Sequence, residues 1–544
     1  MDKLTGGFRP YLVLSLLCLI LYLPGLASVP PLDRDESRFI QATRQMLASG
    51  DYVRIQFQGE MRAKKPVGAY WLQAAAVKAF SDPESTALWP YRLPAALSAW
   101  AVALMTFAFG HGLLGRRPAL LAGIMVATAV MLVSEAHQAK TDAVLLAAVV
   151  AAQGALGQFY LAGRTGKKRP GLGLALAFWV AQGIGILVKG PIVPVVSLLT
   201  LVTLGVADRS LRWALALRPL TGMAVAAAIA APWFVAISQA TGGAFVGEAV
   251  KSDLLPKLLG AQESHGGWPG YYALLAIATF WPASLLAWPA MAGAWAERHR
   301  PALRFLLAWA LPCWAMFELV PTKLPHYVLP AFPAIALITA ALVAEGAPVF
   351  KAVGARVYYV AWNVVGLVLA AAVVAMPMEF GRGFDAASVP AAVGILLATV
   401  LPSALAFKGR LIPAALALAL TAGAAYPAVF AHVLPELDRL WVSRSLAAMV
   451  GSLGVAEPVA AAGYSEPSLV VLLGTNTRFT DGIGAAGHLA AHPDSLALVV
   501  DAERPAFLAA AAAAGLAVVD YGRVDGFNYS RGKPIAITVS GLRR

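Results

Sequence analysis

The residues best suited to chemistry fall in a few short polar segments between long apolar runs. Leu32-Asp33-Arg34-Asp35-Glu36-Ser37-Arg38 packs three carboxylates and two guanidiniums into seven residues. A helix starting near Asp35 puts that carboxylate at its N-terminus and Arg38 one turn on, within pairing reach. A solvated, capped helix start explains this segment taken alone. Gln58-Gly59-Glu60-Met61-Arg62-Ala63-Lys64-Lys65-Pro66 is followed by Tyr70-Trp71, aromatic residues of the kind that anchor at a membrane interface. Its Lys64 and Lys65 suit an anionic lipid phosphate, although simple headgroup attraction would need no more. Three further segments sit at the ends of apolar runs: Ala139-Lys140-Thr141-Asp142, Val188-Lys189-Gly190-Pro191, and Pro321-Thr322-Lys323-Leu324-Pro325-His326-Tyr327. Ionisable groups at such ends are costly and are functional candidates by default, while lysine also snorkels harmlessly. Their convergence on one face is the informative feature.

Gathered there, Lys65, Lys189, Lys323 and Arg38, with the Tyr327 hydroxyl, would hold a polyprenyl phosphate or diphosphate. Neutralising that phosphate makes it a better leaving group from an anomeric carbon. A carboxylate opposite would orient or deprotonate the acceptor. The chain carries no P-loop signature, and the expected donor is a lipid whose tail rests between helices.

The elements that position these residues are transmembrane helices. Of 544 residues 59% are hydrophobic and only 13% charged, against roughly 25% charged in soluble chains. Apolar runs at 11–30, 93–110, 118–134, 142–162, 172–188, 191–207, 213–236, 270–291, 302–320, 326–344, 356–377, 388–407 and 411–430 are each long enough to cross a bilayer as a helix. That predicts about 13 spans. The net charge of +13 suggests nucleic acid until its distribution is read. Arg116 and Arg117, Arg164 to Arg169, Arg209 to Arg218, Arg298 to Arg304, Lys351 and Arg356, and Lys408 and Arg410 fall in alternate short loops, as the positive-inside rule requires. The charge is topogenic, and nucleic acid is excluded as a partner. The first run is expected to be an uncleaved anchor, not a signal peptide ending at Leu26-Ala27-Ser28. Cys18 and Cys313 lie far apart in apolar runs and suggest neither disulfide nor metal.

This topology puts three long segments on the outer side: 31–92, 237–269 and 431–544. The first is expected to hold helices near 36–48 and 68–80 lying along the interface. The second carries Glu248, Lys251, Asp253, Lys257, Glu263 and His265. Beyond residue 440, strands are expected at 458–463, 469–473, 496–500, 516–520 and 535–539, with helices at 441–453 and 504–514. The expected organisation is a membrane domain over 1–435 with outer loops 31–92 and 237–269, then an outer α/β domain over 436–544.

Asp35-Glu36-Ser37-Arg38-Phe39, Met46-Leu47-Ala48-Ser49-Gly50-Asp51-Tyr52, Lys65-Pro66 and Tyr70-Trp71, with Lys323-Leu324-Pro325-His326-Tyr327-Val328-Leu329-Pro330, resemble the protein O-mannosyltransferase superfamily, within it the lipid A aminoarabinose transferase group. The likeness is strongest over 33–73 and 318–336. It implies a mainly α polytopic GT-C fold, a polyprenyl-phosphate-sugar donor, and inverting transfer to lipid A or another glycolipid on the periplasmic side of a bacterial inner membrane. By that likeness Asp35 takes the catalytic carboxylate position, while Arg38, Lys65, Asp142, Lys189 and Tyr327 take supporting or phosphate-binding positions. The chain departs from the group at Lys64, where the group has Glu, and at Glu248-Ala249, where it has Glu-His; His265 is a candidate substitute for that histidine. The resulting candidates are Asp35 and Asp142 as catalytic residues, and Arg38, Lys64, Lys65, Lys189, Lys323, His326 and Tyr327 as phosphate- or substrate-binding residues. Glu36, Glu248 and His265 are secondary candidates. No metal ligands are assigned; a divalent metal is the one cofactor left open. Two rival functions remain: a protein O-glycosyltransferase of the same fold, and a lipid flippase or transporter.

Overall fold

The computed structural model describes residues 2–82, 85–166, 168–249, 251, 267–455 and 458–543. Among them, eight helices are long and apolar enough to cross a membrane: Trp89–Leu114, Asp142–Thr165, Leu172–Lys189, Pro219–Ala240, Pro301–Leu319, Val353–Phe380, Ser388–Phe407 and Leu411–Glu436. Arg116–Ala127 and Val130–Ala136 form a ninth if counted as one span bent by 61°. Shorter apolar helices cover Arg9–Tyr22, Ile192–Asp208 and Leu329–Glu345. The run at 270–291 is broken into Tyr271–Thr279 and Ser284–Ala294. Each expected span therefore overlaps helix. The chain is a multi-pass membrane protein.

The outer segment 31–92 contains the expected helices, Asp35–Ser49 and Gly68–Phe80. A small antiparallel pair, β1 (Gln56–Phe57) and β2 (Glu60–Met61), lies between them. Gly68 has a packing role. A Cβ there would lie 2.8 Å from the Leu187 carbonyl oxygen, so glycine lets the start of this helix approach the end of Leu172–Lys189. That contact brings the Lys65 segment towards Lys189.

The C-terminal unit is a five-stranded sheet in the order β4-β3-β5-β7-β6: β3 (Ala460–Ala462), β4 (Arg478–Thr480), β5 (Leu496–Val500), β6 (Val518–Asn528) and β7 (Lys533–Leu542). Strands β3, β4 and β5 are parallel, and β7 joins antiparallel to β5 and β6. One expectation fails here. Residues 469–473 belong to helix Pro467–Leu473, not a strand. A short apolar run fits a buried helix as well as a strand, and Pro467 at the first helical position decides for helix.

The deepest polar contact in the outer segment is between Glu36 and Arg92. Both side chains are fully buried, with Nε–Oε1 at 2.8 Å and Nη2–Oε2 at 3.1 Å. Arg92 also donates to the carbonyls of Leu26, Val29 and Pro30. Glu36 accepts from the backbone N–H groups of Leu32 and Ala139. Glu36, a secondary candidate from the sequence, thus has both oxygens engaged by Arg92 and the loop backbone. Replacing Arg92 with Leu should cost about 3–5 kcal/mol, because the buried carboxylate loses its partner; an unchanged thermal midpoint in detergent would refute this.

Asp33, three residues before Glu36, is half-buried against the sheet unit. Burial first, and then Glu466, push its carboxyl up to about 7, against hydrogen bonds from Ser468 and Tyr529. The folded state thus holds a proton that the unfolded chain, with its ordinary carboxylate pKa, has already lost. The stabilisation is complete below about pH 4 and disappears as pH rises towards 7. Thermal midpoints measured from pH 5 to 8 should fall more steeply for the wild type than for Asp33→Asn, and parallel curves would contradict the assignment.

Candidate functional site

A cavity of about 560 Å³ opens where several helix ends meet. Lys64, Lys65, Asp142, Lys189, His326 and Tyr327 line its polar end. Leu145, Ile192, Val195, Phe234, Phe245 and Phe317 are among its apolar walls. Asp142 is the first residue of helix Asp142–Thr165, so its carboxylate stands at the positive end of a helix dipole. Lys189 is the last residue of Leu172–Lys189, where a cation is equally favoured. Gly190, with φ +64°, then reverses the chain into Pro191. Asp142 and Lys189 meet at 2.5 Å.

A network extends from this pair. His326 Nε2 lies 3.5 Å from Asp142 Oδ1, and its Nδ1 lies 3.8 Å from Glu135 Oε1. Lys140 donates to the same Glu135 oxygen at 2.9 Å. The Lys189 ammonium sits 5.5 Å from the centroid of the Tyr327 ring, a cation–π distance.

Asp35 begins helix Asp35–Ser49 with its carboxylate half-exposed and 3.7 Å from the Arg62 guanidinium. Arg62 is itself fixed by the Tyr70 hydroxyl at 3.2 Å and by the face of Phe39. Burial alone would raise the Asp35 pKa, but Arg62 and then Lys140, Lys65 and Arg38 outweigh it, and it falls to about 2. Asp35 therefore shares one electrostatic field with the cavity lysines.

The structure thus brings Lys64, Lys65, Asp142, Lys189, His326 and Tyr327 to one cavity, with Asp35 and Arg38 beside it. Lys323 is placed elsewhere. Its ammonium donates to the Glu318 carbonyl and, at 3.3 Å, to the Val320 carbonyl, and it lies over the Tyr272 ring. It closes the C-terminus of helix Pro301–Leu319, a use of lysine that helix ends favour, and is not among the residues that line the cavity. Glu248 is exposed on the short helix Ala244–Glu248, whose Phe245 faces the cavity. His265 lies outside the described residues. Sequence reasoning passed over Glu135 and Arg62. Glu135 ends a bent apolar helix, and an acid at that depth was itself the available signal.

Glu135, Asp142 and His326 could together present ligands to a metal ion, their donor atoms lying within 4.8 Å of one another. The chemistry of the cluster does not fit a divalent ion. The oxygens facing His326 already accept Lys140 and Lys189, and an added dication would meet both ammoniums at close range. No step below is routed through a metal.

Residues 11–241 match the family of dolichyl-phosphate-mannose-protein mannosyltransferases. Two curated relatives are undecaprenyl phosphate-α-4-amino-4-deoxy-L-arabinose arabinosyl transferases. The one from Aeromonas salmonicida is 27% identical over 329 residues, covering 60% of this chain and 59% of the relative. The one from Edwardsiella ictaluri is 27% identical over 345 residues, covering 63% and 60%. The matched region thus spans about 60% of the relatives' length. Among solved structures, apo ArnT from Cupriavidus metallidurans superposes with a TM-score of 0.74 at 19% identity over 97% of each chain. The same protein bound to undecaprenyl phosphate gives 0.71 at 19% identity over 98% of each chain. The chain has the fold of these transferase structures. A near-complete superposition at low identity establishes the shared fold, down to the C-terminal sheet unit, and the expected fold class holds, with eight or nine span-length helices among the described residues against the 13 expected.

The Gly68 contact gives a test of how the site is assembled. Gly68→Val should separate Lys65 from Lys189 and weaken binding of an alkyl phosphate probe at this cavity by at least about tenfold, the scale of one lost charged contact. An affinity equal to wild type would show that the close helix approach does not set the cavity.

Proposed function

We propose that the chain is an inverting glycosyltransferase that moves one sugar from a polyprenyl-phosphate donor to a cell-envelope acceptor, lipid A or another glycolipid, at a site facing the periplasm. The observation that carries this reading is the cavity, cationic at one end and apolar along its walls. A phosphate with a long hydrocarbon tail is the ligand with that polarity. The relatives named as undecaprenyl-phosphate-dependent transferases, and the Cupriavidus structure holding undecaprenyl phosphate, support the choice of lipid. The same reading makes residues 1–435 the transferase domain, with loops 31–92 and 237–269 over its outer end, and 436–544 an outer α/β domain.

In this reading Lys65 and Lys189 hold the donor phosphate, and the aromatic side chains hold the first isoprene units. The acceptor oxygen attacks the anomeric carbon from the face opposite the phosphate. The new C–O bond forms as the bond to the phosphate oxygen breaks, and the electron pair stays on that oxygen. The lysines stabilise the charge that develops there. Asp35 faces the acceptor and takes its proton where one is lost.

A pKa of about 2 makes Asp35 a weak base at neutral pH. It is better matched to orienting an acceptor that is already ionised, such as a phosphate group, than to stripping an alcohol. This favours the glycolipid acceptor over a protein hydroxyl.

Reconstituted Asp35→Asn protein should lose about 10²-fold in transfer rate, the scale expected when an acceptor is no longer oriented, while still binding the donor lipid. Wild-type turnover in that variant would remove Asp35 from the reaction.

A further inference from the structure

Asp35 is gripped from outside the membrane core. The residue before it, Arg34, is the N-cap of helix Asp35–Ser49 and has φ +65° and ψ −102°. A non-glycine residue at such angles is strained and persists only where its surroundings hold it. On the core side the hold comes from Glu36 and Arg92. On the other side it comes from the C-terminal sheet unit.

The contacts to that unit are specific. The Asp33 N–H donates to the Tyr529 hydroxyl at 2.7 Å. The Arg34 guanidinium donates to the Ser530 carbonyl at 2.7 Å. Tyr529 and Ser530 are in the tight turn that joins β6 to β7. Asp33 Oδ1 accepts the Ser468 N–H at 3.2 Å, from the first turn of Pro467–Leu473. Further along, Gln41 donates to Thr475 Oγ1, Arg44 to the Val471 carbonyl, and Gln58 to the carbonyls of Thr475 and Thr477. The sheet unit therefore contacts both sides of the 33–34 peptide and then follows the helix and the β1–β2 turn.

We infer that the C-terminal sheet unit is a positioning element for the reaction, and that the β6–β7 turn, through Tyr529 and the Ser530 carbonyl, holds the strained Asp33–Arg34 peptide so that the Asp35 carboxylate faces the acceptor. Tyr529 and Arg34 do not line the cavity; they act through the backbone that carries Asp35. The inference rests on the transfer reaction proposed above. It assigns the sheet unit a place in catalysis beyond covering the membrane core.

The test uses full-length protein in proteoliposomes with a polyprenyl-phosphate-sugar donor and a glycolipid acceptor. Tyr529→Phe deletes the hydroxyl that receives the Asp33 N–H but keeps the ring packed edge-on against Trp441 at 6.1 Å. It should lower kcat roughly tenfold, part of the loss a misplaced reacting group produces, with donor KM and thermal midpoint unchanged. Arg34→Ala should lower kcat in the same way, and Arg34→Lys, which keeps one donor, should recover part of it. A wild-type kcat in Tyr529→Phe overturns the inference. So does a fall in kcat matched by a fall in thermal midpoint, because the turn would then be only structural. A wild-type protein that transfers no sugar from a polyprenyl phosphate defeats the transfer reading itself, before any variant is compared.

Discussion

The Arg92 guanidinium is the fixed point of the outer segment. It is 0% exposed, and its donors are spent on three backbone carbonyls of the 26–30 turn and on both oxygens of Glu36. Burying such a pair is expensive. It is tolerated because the remaining acceptor capacity of Glu36 is filled by the Leu32 and Ala139 N–H groups. One ion pair thereby ties the end of the first helix, the start of Asp35–Ser49, the start of Trp89–Leu114, and the turn before Asp142. Asp35 and Asp142 come from distant stretches of chain, and this pair fixes both stretches to one another.

Around that point charge is arranged so that no carboxylate is left alone. Asp142 has Lys189, Glu135 has Lys140, and Asp35 has Arg62. Cations nonetheless exceed acids: Arg38, Arg62, Lys64, Lys65, Lys140 and Lys189 face Asp35, Glu135 and Asp142. In contact with hydrocarbon that excess is costly unless an anion shares it. In the proposed reaction the donor phosphate shares that excess, and its tail lies along the aromatic walls.

How much of this the sequence disclosed depends on the range of the interaction. Spans were legible because bilayer thickness imposes a length on each apolar run, and the interfacial helices because Asp35–Ser49 and Gly68–Phe80 carry apolar faces bounded by turn residues. The gathering of the candidate residues was legible in outline, since each polar segment alone had an innocent explanation but several were expected to converge on one face, and the cavity brings six of those residues together. The partners were not. Glu36 and Asp35 are adjacent in sequence, yet one is sealed against Arg92 and the other faces Arg62, a difference of about 100° around the helix that nothing local reports. Lys323 and Lys189 both follow apolar runs. Whether each turns back onto its own helix carbonyls or outward to a cavity depends on Glu318 in one case and Asp142 in the other. The same limit explains 469–473, where five apolar residues fit either periodicity until Pro467 is given its place.

The shared lysines make the strength of Asp35 as a base depend on what else is bound. Its carboxylate is held ionised by Arg62, Lys140, Lys65 and Arg38 acting against burial. Lys65 also lines the cavity. A phosphate seated on Lys65 brings a negative charge into the field that depresses the Asp35 pKa, and a like charge at short range raises it. In the proposed reaction Asp35 is therefore least basic in the empty site and gains basicity when the donor arrives. After transfer the departing polyprenyl phosphate carries one more negative charge than the donor did, which raises the pKa further and favours proton uptake at the moment an acceptor proton is released. A single lysine placed between two anions is enough to link donor binding to acceptor activation without any movement of the backbone.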